Sequence, residues 1–419
     1  MKYRIIIAMI LLCGTSQLRA QQGLTLESSI AIALENNLNV KIAKNQAEIA
    51  DNNATKGNAG LLPILSANGA SNYSEHSTNE VSSSASVNVS YNLFNGLKAR
   101  YNYKILNLRK EQGELNARFS IENIITNVVS EFYQLSKSYD DLSVAIENME
   151  ISRDRLNRNQ SKYEFGNINK LEVLNAKVDF NRDSSNYLQT EQIYQETVRE
   201  MNILLGRKAD TEIQVIPDKS DFRLLDLEKL KSQALKENAE YLIKESELKE
   251  NEFVLRQSKS AQLPSLSFNS AYSYADQKVM GTNSHTQLTG GLNMSFTIFD
   301  GKQKKRNIVN AKIEKQNAAF EYENKLLELE KDLLNAYTDY QYNLRTLHLE
   351  EDALDAARLN FDQTKAYYQL GQVSATTFRD AQLNWMEAKN NKAAARYNAK
   401  LSEIKMLKLS GSLLEPFNN

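Results

Sequence analysis

Few side chains in this sequence could do covalent or metal chemistry. The three histidines are His76, His285 and His348. The first two fall in polar segments between alternating stretches and the third in a long helical pattern, so none has the spacing of a metal site. The one cysteine, Cys13, lies in an apolar leader, and the chain beyond it has neither disulfide nor thiol chemistry. Carboxylates are abundant, but they alternate with lysine and arginine along helix-period stretches. That is the pattern of a solvated helix face, not of paired acid–base groups. No catalytic constellation emerges and no cofactor is expected. The architecture that carries these residues has to explain the function.

The chain opens "MKYRIIIAMILLCGTSQLRAQQ". Lys2 and Arg4 precede an apolar run at 5–12, and Ala20 is a small residue at a cleavage position, so 1–20 reads as a secretory signal peptide. Acylation at Cys13 would require a small residue before it, where Leu12 is bulky. No later stretch approaches the roughly 20 apolar residues of a membrane-spanning helix. With 51 basic and 52 acidic residues the net charge is −1, which leaves no broad electrostatic footprint for nucleic acid. Pro63, Pro217, Pro264 and Pro416 are the only prolines, so very long helices are permitted between the first two and between the last two.

The chain also repeats itself. "LTLESSIAIALENN" from Leu24 matches "LDLEKLKSQALKEN" from Leu225, and "GLLPILS" around Pro63 matches "AQLPSLS" around Pro264, both at an offset of 201 residues. "NLFNGLKAR" matches "TIFDGKQKK", "YEFGNI" matches "YQLGQV", and Gly206 faces Gly411, all at an offset of 205. The four-residue change between the two groups belongs in a loop. The halves are 21–206 and 225–411, joined by a linker at 207–224 and followed by a tail at 412–419.

Each half reads as a helix of about forty residues ending at Leu-Pro, two alternating strands around a polar loop, a glycine, and a very long helix that turns back on itself. The strands are expected at about 64–74 and 85–94, and at about 265–275 and 287–299. In "ASVNVSYNL" at 85–93, apolar residues alternate strictly with serine and asparagine. In the long helix, Ile125, Val128, Phe132, Leu135, Tyr139, Leu142, Ile146 and Met149 recur in steps of three and four, a coiled-coil seam. Leu333, Tyr337, Tyr340, Leu344, Leu347, Leu354 and Phe361 continue the pattern in the second half. At ~1.5 Å per residue each long helix spans roughly 100 Å.

Four strands with a full apolar face cannot bury it on one another and close, because the smallest closed barrels need about eight. Nine tilted residues span roughly 25 Å, the height of the apolar band of an outer-membrane barrel. The chain is therefore expected to pool strands with copies of itself, eight from two chains or twelve from three. A soluble periplasmic coiled coil with small hairpins tucked against its helices is the alternative from another class.

The duplicated order of helix, "LP", strand, loop, strand, "F(N/D)G", long helix, "YxxG" and helix resembles the TolC-like outer membrane efflux proteins, over nearly the whole chain from Leu24 to Gly411. The resemblance implies a mainly α protein with a membrane β-barrel: a homotrimer with a twelve-stranded barrel in outer membrane lipid and a periplasmic α-helical tunnel. It further implies a periplasmic adaptor (a membrane fusion protein) and an inner-membrane pump as partners. The function implied is that of a passive conduit from periplasm to exterior. A conduit dedicated to type I protein secretion would use the same fold, and fold does not fix the substrate.

Two sets of residues follow. Tyr163, Gly166 and Asn167, with Tyr368, Gly371 and Gln372, form the hairpin tips. The glycines suit a tight helix–helix turn, and the resemblance places the tips at the adaptor. The resemblance also puts acidic residues of the helix after the second tip in an entrance constriction, at the positions of Thr377 and Asp380. Thr377 departs from that pattern, which leaves one carboxylate per chain. Glu172 in the first half is explained by capping, three residues after Asn169. Asp380 lies beyond the first turn after Ser374, where capping gives no account of it.

Overall fold

The computed structural model describes residues 23–75, 80–277 and 285–413. The leader with Cys13, residues 76–79 with His76, residues 278–284 and the end of the tail lie outside them. The first half comprises α1 (Leu26–Asn36), α2 (Leu38–Asn53), β1 (Ile64–Ser74), β2 (Glu80–Asn95), α3 (Lys98–Glu164) and α4 (Lys170–Leu204). The second comprises α5 (Leu227–Glu237), α6 (Ala239–Ser260), β3 (Ser265–Gln277), β4 (His285–Ser295), α7 (Gln303–Gln369) and α8 (Ala375–Leu409). Helices α3 and α7 are both 67 residues long, and α4 and α8 are both 35. Each hairpin thus pairs a helix of about 100 Å with a partner half its length.

The single helix expected before each Leu-Pro is two helices, and the reason is one asparagine per half. Asn37 leaves helical geometry (φ −60°, ψ 127°) and its Oδ1 accepts from the backbone N–H of Asn39 and Val40, capping α2. Its Nδ2 donates to the Leu204 carbonyl at the end of α4. Asn238 does the same for α6, through Tyr241 N–H and the Leu409 carbonyl of α8. One buried amide therefore breaks one helix and closes the end of another, satisfying groups that both termini would leave unpaired.

The strands form one antiparallel sheet in the order β1-β2-β3-β4. Its register keeps two faces distinct. Leu65 opposes Val89, Val87 opposes Tyr272, Tyr91 opposes Phe268 and Phe268 opposes Leu292 on one face. Ser66 opposes Asn88, Asn88 opposes Ala271, Ser90 opposes Asn269 and Asn269 opposes Gly291 on the other. A bulge between Asn92 and Phe94 sets Phe94, rather than Leu93, against Leu266. β2 begins at Glu80, earlier than expected, because it pairs along the whole of β1 as far as Ser74. β4 stops at Ser295, short of 299, because Ser295 pairs with Ser265 and Pro264 before it has no N–H to continue the ladder. His285 is the first residue of β4, not a loop residue.

Next to the sheet, α2, α3, α6 and α7 pack side by side; beyond the middle the row is α4, α3, α8 and α7. The main apolar core sits where these rows meet, with Ile30, Ile125, Val128, Phe132, Leu135, Met201, Leu205, Val215 and Leu407. The linker crosses here. The Tyr133 hydroxyl donates to Asp218, the Tyr340 hydroxyl to the Arg223 carbonyl, and the Lys400 ammonium to the Asp221 carbonyl. Burial pushes the Asp218 carboxyl up, but hydrogen bonds from the Ser220 N–H, the Tyr133 hydroxyl and the Ser220 hydroxyl hold it below the ordinary aspartate value.

The apolar seam expected along α3 holds through Leu135 and then fails: Tyr139 and Ile146 are exposed. Past Leu135 the buried positions of α3 are Ser136, Ser138, Asn148, Ser152, Arg155 and Asn159 beside Ala145 and Leu156, and Asn148, Ser152, Arg155 and Asn159 meet polar groups of α4 and α8. No described helix is long and apolar enough to cross a membrane.

Candidate functional site

Both tips end in the same backbone device. In the first, the Gly166 N–H donates to the Tyr163 carbonyl at 2.9 Å and the Asn167 N–H to the Lys162 carbonyl at 2.8 Å, with Gly166 at φ 72°. In the second, the Gly371 N–H reaches Tyr368 at 3.1 Å and the Gln372 N–H reaches Tyr367 at 2.9 Å, with Gly371 at φ 74°. This is a Schellman closure, and its left-handed residue favours glycine. A Cβ on either glycine would meet nothing within 4 Å, so backbone conformation and not space demands the residue.

The returning helices start on capped turns. Asn169 Oδ1 accepts from the Glu172 N–H, and Ser374 Oγ from the Thr377 N–H at 3.1 Å. The Thr377 hydroxyl also lies 2.9 Å from that of Ser374. Asp380 is exposed and has no hydrogen bond or ion pair among the described residues. With Thr376, Thr377, Leu383, Asn384 and Glu387 it forms an exposed stripe at helical spacing, opposite the face of α8 that buries Phe378, Arg379, Gln382 and Trp385.

The tips flank a groove of about 680 Å³ between the two hairpins, lined from α3 by Arg155, Arg158 and Lys162 and from the second hairpin by Lys365, Tyr368 and Phe378. Thus Tyr368 lines the groove, while Thr377 and Asp380 lie on the other side of α8. Phe165 and Leu370, 82% and 71% exposed, sit just before the glycines and are not among the tip residues that the sequence singles out. The readable signal is an apolar residue before glycine in both "YEFG" and "YQLG".

A buried polar joint ties the hairpins together above the groove. Arg379 of α8 donates through Nη1 to Asp183 Oδ2 and through Nη2 to Asp183 Oδ1, both at 2.6 Å. Ser152 of α3 donates to the same carboxylate, and Gln382 Nε2 reaches Asn148 Oδ1 at 2.6 Å. A bidentate guanidinium–carboxylate pair fixes direction as well as distance. No local sequence pattern announces it, since Arg379 and Asp183 are 196 residues apart.

A profile of the outer membrane efflux protein family matches residues 30–207 and 230–412, the two halves in turn. The chain belongs to that family. It is accordingly a passive outer membrane channel of the kind used in tripartite efflux, and not an enzyme. Solved structures share the fold. The Campylobacter jejuni CmeC outer membrane channel superposes with a TM-score of 0.79 at 17% identity, covering 95% of this chain and 90% of that one. Vibrio cholerae VceC gives 0.76 at 14%, covering 93% and 97%. The open state of the Neisseria gonorrhoeae MtrE channel gives 0.70 at 20%, covering 93% and 89%. The curated proteins contain no match to this sequence. Among the described residues of this efflux channel no group of side chains could hold a metal ion.

Proposed function

We propose that three copies of this chain assemble one export conduit: a twelve-stranded barrel in the outer membrane continued by a tunnel of α-helices in the periplasm. The observation that carries it is the sheet. Among the described residues of one chain β1 and β4 have no outer neighbours, and residues such as Leu65, Tyr272, Leu288 and Leu292 stand exposed on one face. Open edges and a bare apolar face are both resolved by closure with further copies in lipid. The polar face, with Asn88, Asn269 and Asn293, then lines water. The detergent-corrected mass of protein extracted from the outer-membrane fraction tests this. Three chains per particle are expected, and a detergent-free monomer or dimer would overturn the barrel.

In this assembly the tips, at Tyr163, Gly166 and Asn167 and at Tyr368, Gly371 and Gln372, meet a periplasmic adaptor that couples the conduit to an inner-membrane pump. Bare Phe165 and Leu370 beside capped, rigid turns support the reading, since exposed apolar side chains at fixed positions suit a protein contact. Asn167→Asp or Gln372→Glu is expected to abolish adaptor-dependent export while leaving the amount of trimer unchanged; wild-type export by both variants counts against it. Thr377 and Asp380 form the entrance constriction, supported by the position of Asp380 on the bare stripe of α8. Three like charges around an axis attract cations. Asp380→Asn is expected to lower cation preference severalfold in planar bilayers, and unchanged selectivity removes Asp380 from the pore.

A further inference from the structure

The rim where the sheet meets the long helices carries charge that the fold does not use. Between residues 92 and 110 there are five cations and no acid, and between 296 and 313 five cations and only Asp300. Part of this set has partners. Arg109 pairs with Glu250, Lys110 with Asp51, the Lys104 ammonium lies over the Phe253 ring, and Lys304 donates to the Thr297 carbonyl. Asp300 is engaged by the Lys304 backbone N–H. Lys98, Arg100, Lys302, Lys305 and Arg306 are exposed, and their side chains have no partner among the described residues.

Helix stability does not account for them. Cations in the first turns of α3 and α7 oppose the macrodipole, and neither helix has an acid there to offset them. Their neighbours are apolar. Beyond β4, Phe296 and Ile298 continue the alternation of its apolar face and Phe299 follows them; the three are 56%, 90% and 78% exposed. Bare aromatic and aliphatic side chains ending in bare cations are the profile of a hydrocarbon–headgroup boundary.

We propose that Lys98, Arg100, Lys302, Lys305 and Arg306 form a belt that binds the anionic phospholipid headgroups of the periplasmic leaflet. The inference rests on the barrel reading, which puts this end of the sheet at that leaflet. Charge complementarity and continuity with the apolar face select lipid over a free anion. The belt fixes the depth of the barrel: apolar residues sit in hydrocarbon, and the cations meet phosphates one turn further on.

The test is native mass spectrometry of the full-length protein in detergent, offered phosphatidylglycerol, phosphatidylcholine or inorganic phosphate. Phosphatidylglycerol is expected to be retained roughly tenfold better than phosphatidylcholine, and the preference to fall as salt rises. Lys302→Gln/Lys305→Gln/Arg306→Gln is expected to remove the preference at unchanged oligomer mass, and Lys41→Gln/Lys44→Gln, on exposed α2 positions, to preserve it. If the triple variant does not assemble, Lys98→Gln/Arg100→Gln in the other half carries the test. Equal retention of both lipids, an unaltered preference in the variants, or displacement of the lipid by inorganic phosphate would overturn the belt. Flotation with vesicles of either lipid separates the failures. Insertion into both without preference sinks the belt alone, and insertion into neither sinks the barrel reading.

Discussion

The two hairpins are duplicates in backbone and opposites in chemistry. They have equal helix lengths and the same tip closure, yet the second is held by rings and the first by polar groups. Between α7 and α8 the rings form a continuous ladder. Tyr368 stacks on Phe378 at 4.8 Å, Phe378 meets Phe361 at 5.8 Å, Phe361 stacks on Trp385 at 4.5 Å, and the Lys389 ammonium covers Trp385 at 3.8 Å. At the corresponding places the first hairpin has Tyr163, Val173, Leu156, Phe180 and Ser184. It instead buries Asn148, Ser152 and Asp183, where the second has Ala353, Ala357 and Ala388.

Apolar contact is non-directional and tolerates small shifts, so α7 and α8 stay together as one unit. The joint between α3, α4 and α8 is directional, because a buried guanidinium and carboxylate must match each other. Duplication preserved the scaffold, and the side chains then made one seam internal and cohesive and the other a register lock between hairpins.

The comparison breaks most readily at Asp183. Asp183→Ala strands Arg379 as a buried charge, and opening at the joint, read by hydrogen exchange, is expected to become easier by about 3–5 kcal/mol. Adding Arg379→Met should recover most of the loss, and a silent single variant would leave the lock without weight. Next comes the ladder. Trp385→Ala is expected to cost about 3 kcal/mol at the α7–α8 seam, while Phe180→Ala at the half-exposed matching place costs about 1 kcal/mol. Equal costs would mean that the seams do not differ. Smallest is the backbone term: Gly166→Ala and Gly371→Ala should each cost about 1–2 kcal/mol. The two values should agree, since neither position has a neighbour to clash with, and unequal losses would show that the side-chain seams reach the turns.

Much of this was legible in the residues. Alternation at 85–93 marked a strand with distinct faces, the offsets of 201 and 205 marked the duplication, and the glycines of "YEFG" and "YQLG" marked the turns. The breaks at Asn37 and Asn238 were not legible, because an asparagine leaves a helix only when a distant carbonyl, here of Leu204 or Leu409, rewards its amide. The end of the α3 seam at Leu135 was also hidden. Steps of three and four continue through Tyr139 and Ile146, but a period describes one helix and says nothing of the polarity of its neighbours.

By itself, then, the sequence determined the strands, the long helices, their order and their repetition, because propensity, turn chemistry and hydrophobic period act over a few residues. Tertiary structure alone decided how the duplicates differ in use. It set Asp183 against Arg379, Asn148 against Gln382, Phe361 against Trp385, and left Asp380 bare on the far side of α8. Such pairings depend on which helices become neighbours, and that is settled by the packing of whole 100 Å rods.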